Sequence, residues 1–238
     1  MMQSKTKAAE WYRVSALEAT RQLGVDPTTG LSTQEAEERQ AQVGFNRLEE
    51  KPPRSRWLLL LDQFKGFLIL VLLGAAVLAA FIGNLTDAAV ILVVVFINAF
   101  LGFSQESRAE QSLVALKKML APTANVRRDG KTANMTAEFL VPGDIVLLGP
   151  GDRVPADGRV IAAHNFEVDE SSLTGESSTV SKHIESLEGE DIPLAERANL
   201  FFMNTTVTRG RAEMVVTATG MNTELGLLAN MLGEAVES

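Results

Sequence analysis

A run of hydroxyl, glycine and carboxylate residues between Asp169 and Ser177 carries the clearest chemical signal in the chain. Within it, Thr174, Gly175, Glu176 and Ser177 place one carboxylate beside a flexible glycine and among small hydroxyl side chains. A carboxylate held in this way can orient a water molecule for attack on a phosphorus atom. The same residues also suit an ordinary turn followed by a helix cap. The surrounding elements must therefore decide between the two interpretations.

The composition narrows the class of protein. The 238 residues carry a net charge of -8, which argues against a nucleic-acid partner because such a partner favours a basic surface. Cysteine is absent, which excludes disulfides, thiolate metal sites and cysteine nucleophiles. The two histidines, His164 and His183, are far apart in sequence, so we predict no metal site in this chain.

Two long apolar runs lie in the first half of the chain. Residues 66–86 and 88–105 contain no charged side chain, and only Asp87 separates them. A helix needs about 20 apolar residues to cross a bilayer, so each run is long enough to span. Two buried helices of a soluble protein are the alternative, but these runs leave no polar face for water. We predict spans at about 64–83 and 85–104, which form a tight hairpin in the lipid bilayer.

The distribution of basic residues predicts the orientation of these spans. Basic residues precede the first span and follow the second, whereas the short loop between them has none. The flanking residues are Lys51, Arg54, Arg56, Lys65, Arg108, Lys117, Lys118, Arg127 and Arg128. The positive-inside rule therefore places both termini in the cytoplasm. Asn98, the main polar group of the second span, either bonds to a neighbouring helix or lines an ion path.

The polar segments predict helices first and strands later. Capping boxes begin at Ser15 and Ser32, and glycines at 24 and 44 end the two helices, which gives a small helical hairpin. Leucines on one face of residues 106–121 predict a helical stalk after the second span. Short strands with turn signals follow Pro122 and predict a β-rich domain, a distorted barrel or jelly roll. The fold class is thus mixed. The predicted strands are 124–128, 145–148, 159–163, 200–208 and 211–219, the last two as a hairpin across Arg209-Gly210.

The order of these parts resembles the N-terminal part of a P-type cation-transporting ATPase of type II, the group that includes the calcium pumps. The resemblance covers about residues 9–232 and rests on several motifs together. These are Gly44–Leu48, Pro142–Asp144, Gly151–Gly158, Asp169–Ser177 and Thr219–Gly226.

The resemblance implies a role for the loop. In that family the β domain is the actuator, and its Thr-Gly-Glu-Ser loop swings onto an aspartyl phosphate held by another domain. By resemblance, Glu176 orients the hydrolytic water, Gly175 lets the backbone come close, and Thr174 and Ser177 shape the loop. The family often has a proline shortly after this loop, where the present sequence reads Ser178-Thr179-Val180. This departure alters the stiffness of the loop rather than its chemistry.

The resemblance also implies an activity, which is ATP hydrolysis coupled to cation transport. The phosphorylated aspartate of the family lies in an Asp-Lys-Thr-Gly-Thr motif, which this sequence lacks. We therefore expect a fragment or a piece of a longer chain, inactive by itself, whose ATP and Mg²⁺ sites lie in the missing phosphorylation, nucleotide-binding and C-terminal membrane parts. Calcium is the first choice of cation. Since neither span carries a buried carboxylate, Na⁺, K⁺, Mg²⁺ and H⁺ stay open. The expected location is a bacterial plasma membrane.

These interpretations define five segments. They are an N-terminal helical region (1–56), a transmembrane hairpin (57–105), a stalk (106–121), the actuator domain (122–220) and a linker toward a third span (221–238). The rival hypothesis is a non-catalytic, membrane-anchored binding or regulatory module. Its interaction surface would be the β domain and the acidic loop at 185–196.

Overall fold

The computed structural model describes residues 11–49, 56–119, 121–175 and 178–237. They belong to two compact units. The sheet unit combines the chain up to Glu49 with the chain from Ala121 onward, and the helical unit is Glu50–Leu120.

The sheet unit is built on seven antiparallel strands. The strands are β1 (Thr123–Arg128), β2 (Lys131–Thr136), β3 (Ile145–Leu148), β4 (Asp157–Asp169), β5 (Thr179–Ser181), β6 (Leu200–Phe201) and β7 (Thr206–Ala218). Their order is β2-β1-β3-β7-β4-β5, and β6 pairs with β4. The prediction of a β-rich domain accompanied by helices is therefore confirmed, whereas the jelly-roll arrangement stays a prediction.

One predicted hairpin is wrong. The sequence suggested that the chain turns at Arg209-Gly210, but both residues lie inside the continuous strand β7, which runs along β4. Gly210 has a φ of +83° and lies beside a register shift between His164 and Glu167 of β4. A Cβ atom at this position would overlap the carbonyl oxygen of Asn165. The glycine therefore permits a close approach at a bulge rather than a reversal of the chain.

The two faces of the sheet pack against different partners. One face carries the main core, which includes Val126, Val146, Val160, Met214 and Val216, all nearly inaccessible to solvent. The other face, at Val141, Ile145 and Val215, packs on Ala19, Leu31 and Ala36 of the N-terminal region. Apolar side chains at alternate strand positions produce this division, since neighbouring residues of a strand point to opposite faces.

The N-terminal helices begin and end where their caps predict. Helix α1 (Ala16–Gln22) has Ser15 as its N-cap, and the Ser15 Oγ accepts a hydrogen bond from the Glu18 amide at 3.2 Å. Helix α2 (Thr33–Val43) has a full capping box between Ser32 and Glu35, and it ends at Gly44 with a φ of +82°. Both predicted N-caps are confirmed.

The N-terminal region packs on one face of the sheet and is also bonded to β1. Leu31 forms a bridge with Arg128 of β1, and Asp129 accepts hydrogen bonds from the Thr33 amide (3.1 Å) and hydroxyl (2.5 Å). A Cβ atom at Gly30 would overlap the carbonyl oxygen of Arg127. The two ends of the described chain therefore fold together, although the helical unit separates them in sequence.

The helical unit contains helices α3 (Arg56–Asp62), α4 (Phe67–Phe81) and α5 (Leu85–Met119). A three-residue turn joins α4 to α5. In the described part of the chain, the helix at Leu85–Leu116 is long and apolar enough to cross a membrane, and the bent pair Leu59–Lys65 and Phe67–Phe81 qualifies if it is counted as one span.

The first predicted span differs from the structure in its boundaries. The sequence predicts one helix at about 64–83, but α4 has only 15 residues and is therefore about 22 Å long. The chain bends by 70° at Gly66, where φ and ψ are −59° and 132°, before α4 begins. The Gln63 side chain donates a hydrogen bond of 2.7 Å to Glu106 of α5 and so fixes the bent segment to that helix.

Candidate functional site

The loop between β4 and β5 contains the four predicted site residues. The structure describes the short helix α6 (Ser171–Thr174) and Gly175. Glu176 and Ser177 lie outside the described residues, so their predicted roles stay predictions.

Antiparallel pairing brings the two ends of this loop together. Val168 pairs with Val180, and Asp169 pairs with Thr179, in the last registered pairs before the loop. Asp169 Oδ1 then accepts a hydrogen bond of 2.9 Å from the Ser171 amide, which starts α6. Hydrogen bonding by Ser171 lowers the pKa of the half-buried Asp169 carboxyl, because it favours the charged form. The loop is thus a β-hairpin connection that begins with an ordered helical turn.

Gly175 ends the helical turn in a left-handed conformation. Its φ is +77°, and its amide donates a hydrogen bond of 3.0 Å to the Ser171 carbonyl. Among the described residues, no atom beyond its chain neighbours lies within 4 Å of the position that a Cβ would occupy. The left-handed backbone conformation therefore favours glycine at this position.

A buried ion pair lies beneath the loop. Lys182 Nζ lies 2.5 Å from Glu170 Oε1, and the two side chains are 0% and 1% exposed. Burial lowers the pKa of Lys182 and raises that of Glu170, and in each case the charged partner opposes the shift. Sequence reasoning missed this pair. Strand alternation gives a signal that could have found Glu170, because Phe166, Val168 and Glu170 all occupy buried, same-face positions.

Apolar contacts and a cation–ring contact also hold the start of the β4–β5 loop. Leu173 of α6 packs against a buried cluster of Tyr12, Leu200 and Phe202. The Lys182 ammonium lies 5.3 Å from the centre of the Phe202 ring. The start of the loop therefore contacts the N-terminal segment and the chain around β6.

A second cluster of polar groups joins three of the motifs that the sequence singled out. The buried Asn46 side chain donates to the Ala137 and Pro155 carbonyls (2.9 Å each) and accepts from the Gly220 amide at 2.8 Å. Asp157 accepts from the amides of Met203 and Glu224, at 2.7 Å each. These contacts tie the Gly44–Leu48, Gly151–Gly158 and Thr219–Gly226 motifs to one another.

Burial dominates the electrostatics of Asp157. Loss of hydration raises its pKa to about 7, although its two backbone hydrogen bonds act in the opposite direction. Asp144, in the Pro142–Asp144 motif, is fully buried and receives two hydrogen bonds from Arg128, at 2.8 and 2.7 Å. Both carboxylates therefore hold backbone segments in place.

Among the residues that the structure describes, no three His, Asp or Glu side chains are arranged to hold a metal ion.

Comparison with known proteins identifies the class of this arrangement. Residues 118–233 match the P-type ATPase actuator domain, and residues 11–79 match the N-terminal region of cation transporters and ATPases. The chain belongs to the P-type ATPase family.

Individual relatives agree with this assignment. A calcium-transporting ATPase of Bacillus subtilis is 43% identical over 229 residues, which is 96% of this chain and 25% of that protein. Calcium-transporting ATPase 1 of Lactococcus lactis is 44% identical over 206 residues, 87% of this chain and 23% of the relative. The probable cation-transporting ATPase F of Mycobacterium tuberculosis is 42% identical over 235 residues, 99% of this chain and 26% of the relative. The chain thus spans about a quarter of the length of these relatives.

Proposed function

We propose that this chain forms the N-terminal, first membrane and actuator part of an ATP-driven cation pump, in which the β4–β5 loop promotes hydrolysis of an aspartyl phosphate. The main support is the hairpin connection that holds Thr174 and Gly175 at the end of two paired strands, in a domain that matches the actuator family. The relatives named as calcium-transporting ATPases make Ca²⁺ the first cation to test.

The proposed chemistry needs one carboxylate. Glu176 accepts a proton from a water molecule, whose oxygen forms a bond to phosphorus while the bond between phosphorus and the aspartyl oxygen breaks. The products are inorganic phosphate and the free aspartate. Gly175 allows close approach of the backbone, and Thr174 and Ser177 shape the loop. ATP and Mg²⁺ would be bound by parts of the pump beyond this chain.

We also propose that α4 and α5 form a membrane hairpin in a bacterial plasma membrane, with both ends of the chain in the cytoplasm. Helix α5 has 35 residues and is therefore about 52 Å long, which exceeds the hydrocarbon thickness of about 30 Å. Its last turns would form the stalk (106–121), which precedes the actuator domain (122–220) in the sequence; for that domain we propose a distorted jelly roll. Since α4 alone reaches only about 22 Å, the bent segment before it would complete the first span.

The function can be tested with a chimaera in which this chain replaces the matching segment of the Bacillus subtilis relative. We expect inverted membrane vesicles that contain the chimaera to accumulate Ca²⁺ when ATP is added. The unmodified relative is the positive control, and vesicles without ATP give the background. A chimaera that reaches the membrane and is phosphorylated from ATP, yet moves none of the candidate cations, contradicts the proposal.

The membrane orientation predicts a labelling pattern. The chain contains no cysteine, so single substitutions provide unique labels. Ile82, the exposed residue that immediately follows α4, and Thr132, an exposed residue of β2, are suitable positions for Ile82→Cys and Thr132→Cys. A membrane-impermeant maleimide added to intact cells should label Ile82→Cys but not Thr132→Cys. After lysis, it should label both variants. Labelling of Thr132→Cys in intact cells would reverse the proposed topology.

A further inference from the structure

We propose that Glu170 and Lys182 are a positioning pair, which holds the start of the β4–β5 loop so that the following carboxylate is delivered in one orientation. The inference rests on the proposed function, because it assigns the pair an effect on dephosphorylation. Neither residue would touch the phosphate.

The pair connects the two sides of the loop. Glu170 is the first residue after β4 and immediately precedes α6, whereas Lys182 immediately follows β5. The contact of 2.5 Å between their charged groups therefore fixes the origin of the helical turn relative to the strand at which the loop returns. A contact at this place limits how α6 and Gly175 can tilt.

Several elements hold Lys182. Its amide donates to the Phe166 carbonyl at 2.9 Å, and its Nζ also lies within hydrogen-bonding distance (3.4 Å) of the Arg197 carbonyl. Its ammonium further lies over the Phe202 ring. Strand, loop and ring contacts thus determine where the positive charge lies, and the Glu170 carboxylate meets it there.

Stability alone does not account for charges at these two positions. Both side chains face the interior, where the alternation of the strands places apolar residues. Removal of two charges from water is costly, and an apolar pair of similar volume often serves the fold equally well. An ion pair, in contrast, has a defined geometry and directionality, which an apolar contact lacks. Orientation of the loop is the property that requires this geometry.

The experiment compares an apolar replacement with the parent in the chimaera described above. The double variant Glu170→Leu/Lys182→Met removes both charges and retains the volume. We expect an unchanged or higher thermal midpoint, normal phosphorylation from ATP, and dephosphorylation slowed by about 10- to 100-fold, since displacement of a reacting group by about 1 Å can cost 100-fold in rate. Dephosphorylation at the parental rate with normal folding would overturn the inference.

Two further variants make the result decisive. Lys182→Arg keeps the charge but changes the geometry, so we expect a folded protein with intermediate dephosphorylation. If the double variant does not fold, Lys182→Arg tests the inference alone, and dephosphorylation of this variant at the parental rate overturns it.

Glu176→Gln separates the two proposals. If it slows dephosphorylation while the pair variants do not, only the positioning role fails, whereas a parental rate in Glu176→Gln rejects the proposed function itself.

Discussion

At the scale of single residues, Asp157 joins three segments with one carboxylate. It lies at the start of β4, and its two oxygens accept hydrogen bonds from Met203 and from Glu224, the first residue of helix α7 (Glu224–Glu237). The segment 221–238, interpreted from sequence as a linker, thus contains a helix whose N-terminus is held by a buried side chain. A negative charge at a helix N-terminus is favourable, but burial of Asp157 opposes its ionisation.

This conflict predicts a dependence of stability on pH. The pKa of Asp157 rises from 3.8 to about 7 on folding, so between these values the folded protein keeps a proton that the unfolded chain has lost. The contribution of Asp157 to stability is therefore complete below about pH 4 and is lost as the pH rises through 7. From pH 5 to 7, we expect the free energy of unfolding of the parent to fall relative to Asp157→Asn by about 1 kcal/mol per pH unit. Urea unfolding in detergent at several pH values measures this.

Asp129→Asn is the matched control. Asp129 is exposed, and hydrogen bonds from Thr33 lower its pKa, so its contribution is lost only as the pH falls through the acid range below 4. The difference in the free energy of unfolding between Asp129→Asn and the parent should not change between pH 5 and 7. If the difference in the free energy of unfolding between Asp157→Asn and the parent is also constant from pH 5 to 7, the buried carboxyl does not titrate in this range.

At the scale of elements, hydrogen bonds attach the N-terminal region to the sheet. Leu31 pairs with β1, and Arg159 of β4 donates hydrogen bonds to carbonyls in separate segments, including Val14 and Ile184. Arg159 is fully buried, so its donors must all be satisfied by these carbonyls. The N-terminal helices are therefore part of the same folding unit as the actuator sheet.

Two glycines allow this attachment to be tested. Gly30 and Gly130 share a φ of +71°, but a Cβ atom would overlap the Arg127 carbonyl at Gly30, whereas the described residues leave the corresponding position at Gly130 open. Gly130→Ala should cost about 1 kcal/mol for the left-handed conformation, and Gly30→Ala should cost about 2 kcal/mol more because Leu31 is pushed from β1. The free energy of unfolding in urea measures both. Equal costs would mean that the close approach at Gly30 does not hold the N-terminal region.

Features that depend on neighbouring residues were easier to predict from the sequence than features that depend on residues far apart in the chain. Helix caps at Ser15 and Ser32 were predictable because capping needs only neighbouring residues. The bulge at Gly210 was not, since a glycine signals a turn and a close approach equally well. The contact between Glu170 and Lys182 depends on the register of β4 and β5, which the sequence alone does not specify.

At the scale of the whole molecule, the chain combines an actuator-type sheet unit with an apolar helical unit, and it spans about a quarter of the relatives that it matches. The residues that the sequence marked as motifs divide into two groups. Asn46, Asp144 and Asp157 hold backbone segments of the sheet unit together. Thr174 and Gly175 follow the end of β4, in the loop that we propose acts on another domain.

The rate of phosphoenzyme hydrolysis tests the central claim most directly. In the chimaera, Glu176→Gln should be phosphorylated from radiolabelled ATP to the parental level and then, in a chase with unlabelled ATP, lose the label about 10²- to 10⁴-fold more slowly, the range typical of a lost general base. Glu188→Gln, in the acidic loop, is the matched control and should hydrolyse at the parental rate. Hydrolysis of the Glu176→Gln phosphoenzyme as fast as the parent would contradict the account.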